Sequence, residues 1–175
     1  MRELATRPLA ARVWAVLSQD AAVLAVFAGT LFVSALLLFS VQPVFAKMVL
    51  PRLGGSPSVW SVAMVFFQAA LLLGYAYAHV LGRLLPPGRA ALVHLIFLFG
   101  AACTLPIGIA AGFDAPPSSF VAFWLVGLFA ASIGLPFVAL SASAPLLQHW
   151  FAASGHAQAG NPYVLYGASN LGSFA

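Results

Sequence analysis

Long uncharged apolar runs alternate along this chain with short clusters that hold its charged residues and most of its loop prolines. A bilayer crossing needs about 20 apolar residues at about 1.5 Å each. Four runs meet that length: Ala21 to Val44, Val59 to Leu81, Ala90 to Ala111 and Phe120 to Leu140. The clusters between them carry turn-forming residues. Lys47, Pro51, Gly54, Gly55 and Pro57 lie in the first, Arg83, Pro86, Pro87, Gly88 and Arg89 in the second, and Gly112, Asp114, Pro116 and Pro117 in the third. The pattern predicts an all-α, polytopic integral membrane protein with four complete transmembrane helices and the start of a fifth.

The last two elements need closer reading. From Ser118 to Phe151 the chain stays apolar for 34 residues, more than an upright span requires. Ser141, Ser143 and Pro145 form an N-cap and first-turn signature. Beyond them Leu146, Leu147, Trp150 and Phe151 share one helical face, and Gln148 and His149 another. This predicts a short interfacial helix over about 144–153; one long tilted helix is the alternative. Asn161 and Pro162 mark the start of the fifth span. It has run only 13 residues past Pro162 at Ala175. A helix cut at that point would leave backbone carbonyls unsatisfied in lipid, so the chain is expected to be a fragment of something longer.

Composition narrows the class. The chain is 63% apolar and 6% charged, whereas soluble domains carry about 25% charged residues. Net charge is +4 and the pI is near 9.9, but the basic residues are scattered among loops, which argues for topology and against nucleic acid. With the N-terminus inside, Arg2, Arg7, Arg12, Arg83 and Arg89 face the cytoplasm and Lys47 and Arg52 face outward; the excess predicts a cytoplasmic N-terminus. Val44-Phe45-Ala46 offers small residues for signal cleavage, but the run before it is longer than the roughly 7–15 residues of a signal core. Cys103 is the single cysteine, so no intramolecular disulfide forms, and the histidines lack a metal-ligand spacing. No cofactor, metal or catalytic residue is expected: the chain has no paired carboxylates, no nucleophile elbow and no glycine-rich turn between strand and helix.

Polar residues inside the spans are the remaining candidates. Ser61, Gln68, Tyr75 and His79 fall within a narrow arc of the second span, and Tyr163, Tyr166, Asn170 and Ser173 lie along one side of the fifth. Either stripe can cross-link helices or line a cavity; the candidate cavity-lining residues are Gln68, Tyr75, His79, Tyr163, Tyr166 and Asn170. Trp14, Trp60 and Trp150 fall near expected interfaces, where an indole ring anchors.

Three passages carry a resemblance: Val41-Gln42-Pro43-Val44-Phe45-Ala46-Lys47-Met48-Val49-Leu50-Pro51 with Leu53 through Trp60, Ser141-Ala142-Ser143-Ala144-Pro145-Leu146-Leu147-Gln148, and Asn161-Pro162-Tyr163 with Ser169-Asn170-Leu171-Gly172-Ser173. Together they resemble the N-terminal membrane region of bacterial fused major facilitator/spermidine synthase-like proteins. The resemblance implies a major facilitator-like, multi-pass module in the bacterial cytoplasmic (inner) membrane. It also implies a downstream soluble domain similar to polyamine aminopropyltransferases, so any such activity would lie beyond Ala175. Gly82 through Arg89 resembles, in degenerate form, the basic loop between helices two and three of major facilitator transporters, without its aspartate and one residue shorter. The expected role is to anchor that domain and to pass solute to or from it; the rivals are half of a secondary transporter, or a purely structural membrane subunit. The expected partners are the lipid bilayer and the downstream domain.

Overall fold

A computed structural model of the chain describes residues 9–53 and 56–175, with the backbone alone described for residues 9–18 and Arg52. The expected N-terminal charges Arg2, Glu3 and Arg7, the side chains of Arg12 and Trp14, and the Gly54-Gly55 turn therefore lie outside the described residues. All regular elements among those described are helices: α1 (Leu9–Val49), a short 3-10 turn (Leu50–Arg52), α2 (Pro57–Leu84), α3 (Pro87–Ala102), α4 (Val121–Phe129), a π-helical turn (Ala130–Gly134), α5 (Leu135–Ala152) and α6 (Tyr163–Phe174).

Three helices are long and apolar enough to cross a membrane: Gln19–Val49 within α1, Pro57–Leu84, and the continuous Val121–Ala152. The first outruns its expected end at Val44, passing through Pro43 to Val49. An interior proline costs a helix about 3 kcal/mol. Here Phe45 and Val49 beyond it are fully buried in the core, which offsets that cost.

Two expectations are corrected. The third run does not form a helix over 90–111: α3 has 16 residues and ends at Ala102. Pro106 supplies no N–H and disfavours helix in the residue before it. The N–H groups of Thr104 and Leu105 fold back to the carbonyls of Ala101 and Ala102, each at 3.1 Å. From there to Phe120 the chain is irregular. Ile107, Ile109 and Phe113 lie against the main core, and the Ala110 N–H donates to Ser132 Oγ at 3.0 Å. Irregular backbone at membrane depth persists only where protein covers it; here residues 107–110 and Phe113 are partly covered, whereas 103–106 and 114–120 are exposed. Gly108-x-x-x-Gly112 falls in this stretch and packs no helix pair.

Nor is there a separate interfacial helix over 144–153, because α5 runs unbroken from Leu135 to Ala152. Ser141 and Ser143 cap nothing. Their hydroxyls donate to the carbonyls of Val138 (2.9 Å) and Ala139 (3.2 Å) in the preceding turn. The long-helix alternative is the one observed, and its irregularity sits earlier, at the π turn. Pro136 lacks an N–H and its ring would press on the carbonyl of Ser132; a widened turn accommodates it and is a known source of helix bending.

Antiparallel α1 and α2 pack with α4–α5 around the largest core. Val41 and Phe45 of α1, Phe66 and Phe67 of α2, and Phe129, Ile133 and Phe137 of the long helix all bury there. Toward the opposite end Ala78 and Leu81 of α2, Ala90 of α3, and Ala142 and Leu146 of α5 form a second cluster. Leu31, Phe151 and Leu165 tie α1, α5 and α6 together. Asn161 and Pro162 are expected as the N-cap and first-turn residues of α6, but the cap position is Pro162; Asn161 Oδ1 accepts the Tyr163 N–H at 3.2 Å in a turn just before the helix. Gly172 brings α6 against the backbone of α1, where a Cβ would meet Phe32 O and come within 2.9 Å of its carbonyl carbon.

Candidate functional site

The most polar buried point of the bundle is His94, on α3, only 4% exposed. Its Nε2 lies 3.1 Å from Ser143 Oγ on α5. The single Ser143 proton already goes to the Ala139 carbonyl, so Ser143 accepts and His94 donates from Nε2. In neutral imidazole the other nitrogen, Nδ1, is then an acceptor. It has no partner among the described residues, and neither do the buried Tyr77 hydroxyl and Trp150 Nε1. All three belong to one aromatic group: the rings of Tyr77, Trp150 and Phe97 lie with centroids 6.0, 6.3 and 6.4 Å from that of His94. Beside them is a cavity of about 330 Å³ between α1, α3 and α5, whose polar lining is Thr30, Ser34, His94, Ser143 and Trp150.

An unpaired buried polar group costs about 1–3 kcal/mol, and the residues of two of the three, His94 and Trp150, line this cavity, which suits it to a neutral molecule that both donates and accepts. Removing a partner should show the same asymmetry. Ser143→Ala leaves the buried Nε2–H unpaired and is expected to lower stability by about 1–3 kcal/mol, whereas the double change His94→Leu with Ser143→Ala removes donor and acceptor together and should cost less. Titration with SDS, followed by tryptophan fluorescence, measures both.

The residues singled out from sequence lie elsewhere. Ser61, Gln68, Tyr75 and His79 are all exposed, on the outward side of α2, and the Ser61 hydroxyl is satisfied by the Pro57 carbonyl at 2.9 Å. Tyr75 and His79 line a cleft of about 500 Å³ with Arg83 and His149; Gln68 stands apart from it. Tyr163, Tyr166 and Asn170 are exposed on α6, and Ser173 donates to the Asn170 carbonyl at 2.7 Å. Trp60 is half-exposed near the start of α2, as an interfacial indole would be. Trp150 is turned inward against His94 and is no anchor. His94, Tyr77 and Ser143 escaped the sequence reading. The helical period places His94 on a face of α3 but says nothing of which partner helix meets it, and Ser143 reads as a cap.

No group of metal-ligating side chains is present among the described residues. No family model matches the chain, and no curated protein or solved structure matches it. Among the described residues the chain is all-helical, with three helices long and apolar enough to cross a membrane and large apolar side chains exposed along them.

Proposed function

We propose that this chain is the membrane-embedded N-terminal module of a fused synthase-like protein, anchoring a downstream aminopropyltransferase-like domain in the bacterial cytoplasmic membrane. The observation that carries the membrane assignment is the outer surface. Large apolar side chains stand exposed along each long helix, among them Val26, Leu37 and Phe39 on α1, Leu72 and Leu73 on α2, and Phe123 on α4. In water such a surface would aggregate; in lipid it is the ordinary exterior. The motifs at 41–60, 141–148 and 161–173 support the fused architecture and the major facilitator-like arrangement. Excess basic residues on one side support an N-terminus in the cytoplasm.

The His94 cavity favours a second reading, in which the module is half of a transporter and the polar aromatic cluster touches the solute. One experiment tests the membrane assignment that both readings share, and a second separates them. After expression, the chain should stay with the membrane pellet through alkaline carbonate extraction; release into the supernatant overturns the membrane assignment. The reading frame beyond Ala175 in the source genome should encode a soluble α/β pattern with a glycine-rich turn after a strand. Further membrane spans there, with no soluble domain, would leave the transporter reading.

A further inference from the structure

The cleft between α2 and α5 has chemistry that the anchoring role does not use. Tyr75, His79 and Arg83 follow one another at four-residue spacing on α2, and Pro145 and His149 face them from α5. Four side chains able to donate hydrogen bonds, one of them a permanent cation, surround a cleft of about 500 Å³ that no carboxylate among the described residues lines. Its floor carries no long side chain: Ala78 and Gly82 lie between the polar residues, and a Cβ at Gly82 would come within 3.5 Å of the His149 ring.

Depth decides what fits. The 28 residues of α2 extend for about 42 Å, against a hydrocarbon core of about 30 Å. Its last turn, with Arg83, therefore lies at the level of lipid headgroups, while Tyr75 lies about 12 Å deeper, beside acyl chains. The cleft thus has a cationic mouth at phosphate depth and a less polar inner end formed by Ala78, Pro145 and the Tyr75 ring. A soluble anion would use only the mouth. The carbonyl ends of α2 and α5 oppose an anion with a partial charge of about half a unit each. Arg83 carries a full one, and α3 begins beside it at Pro87 with its positive end.

We propose that this cleft is a binding site for an anionic phospholipid, with the phosphodiester on Arg83, His79 and His149 and an acyl chain running inward past Tyr75. Basic pockets between transmembrane helices bind such headgroups in this manner.

Native mass spectrometry of the detergent-solubilised chain with added phosphatidylglycerol or phosphatidylcholine tests it. The wild-type chain should retain one phosphatidylglycerol in preference to phosphatidylcholine. Arg83→Gln should weaken that retention about fivefold, the effect of one basic residue at an anionic surface. Arg89→Gln, which alters the same basic turn outside the cleft, should leave it unchanged. Both exchanged side chains are exposed, and unfolding curves on the same samples check that the fold is intact. Equal retention of the two lipids, or equal loss with both arginine variants, overturns the proposal. So does displacement of phosphatidylglycerol by millimolar inorganic phosphate, which would make the site one for a soluble anion. Carbonate extraction does not depend on Arg83, so failure here is distinguishable from failure of the membrane assignment.

Discussion

Replacing Phe129 by alanine is expected to cost roughly 3 kcal/mol, toward the low end of the range for deleting a buried aromatic ring. Phe129 is 1% exposed and is where the three long helices meet. Its ring lies 5.2 Å from that of Phe45 on α1 and 5.3 and 5.7 Å from those of Phe66 and Phe67 on α2. In a bilayer the transfer part of the loss is small, because the alternative surroundings are also apolar. The unfilled volume and the lost edge-to-face contacts remain. Phe129→Leu keeps much of the volume and should retain most of the stability. Unfolding midpoints in an SDS titration measure both; an alanine variant as stable as the parent would show that the three helices do not meet there.

Gly74→Ala should cost about 1–3 kcal/mol, the usual effect of forcing extra atoms into a closed contact. At Gly74 α2 touches α5 without an intervening side chain. A Cβ would run into Ser141 Oγ and approach the Val138 carbonyl oxygen to 2.9 Å. The serine could rotate away, but its hydroxyl would then leave the Val138 carbonyl to which it donates. The carbonyl itself can move only with its helix. Gly88→Ala is the control, since nothing lies within 4 Å of a Cβ there. Helix propensity favours alanine over glycine, so an equal loss in both variants, or no loss at Gly74, would overturn the assignment of the effect to the α2–α5 contact.

The three membrane-length helices were legible because a run of uncharged apolar residues is itself the requirement for crossing a bilayer. Where the reading erred, a local signal met a tertiary one. Ser141, Ser143 and Pro145 are good cap residues by type, yet in place the serines bond to their own helix and Ala142 and Leu146 are buried. Pro106 sat inside an apolar run and was outvoted by it, although it leaves the segment after α3 irregular. The polar stripes on α2 and α6 were visible as stripes, but period alone does not say whether a face turns toward the bundle or away. The His94 cluster joins positions on α2, α3 and α5, and only folding brings them together.

The brevity of α3 also shapes the lipid around the protein. Its 16 residues make about 24 Å of helix, some 6 Å less than an average hydrocarbon core. The irregular chain beyond it is exposed from Cys103 to Pro106 and cannot leave open backbone in lipid, so the hydrocarbon edge on that flank lies at the end of α3. Bilayer thickness is therefore met unevenly around the perimeter, at a cost of fractions of a kcal/mol per Å wherever the rim falls short. Thinner membranes relieve that mismatch on the α3 side while leaving α1 and α2 to tilt, so the orientation of the whole bundle is coupled to the thickness of the membrane that holds it.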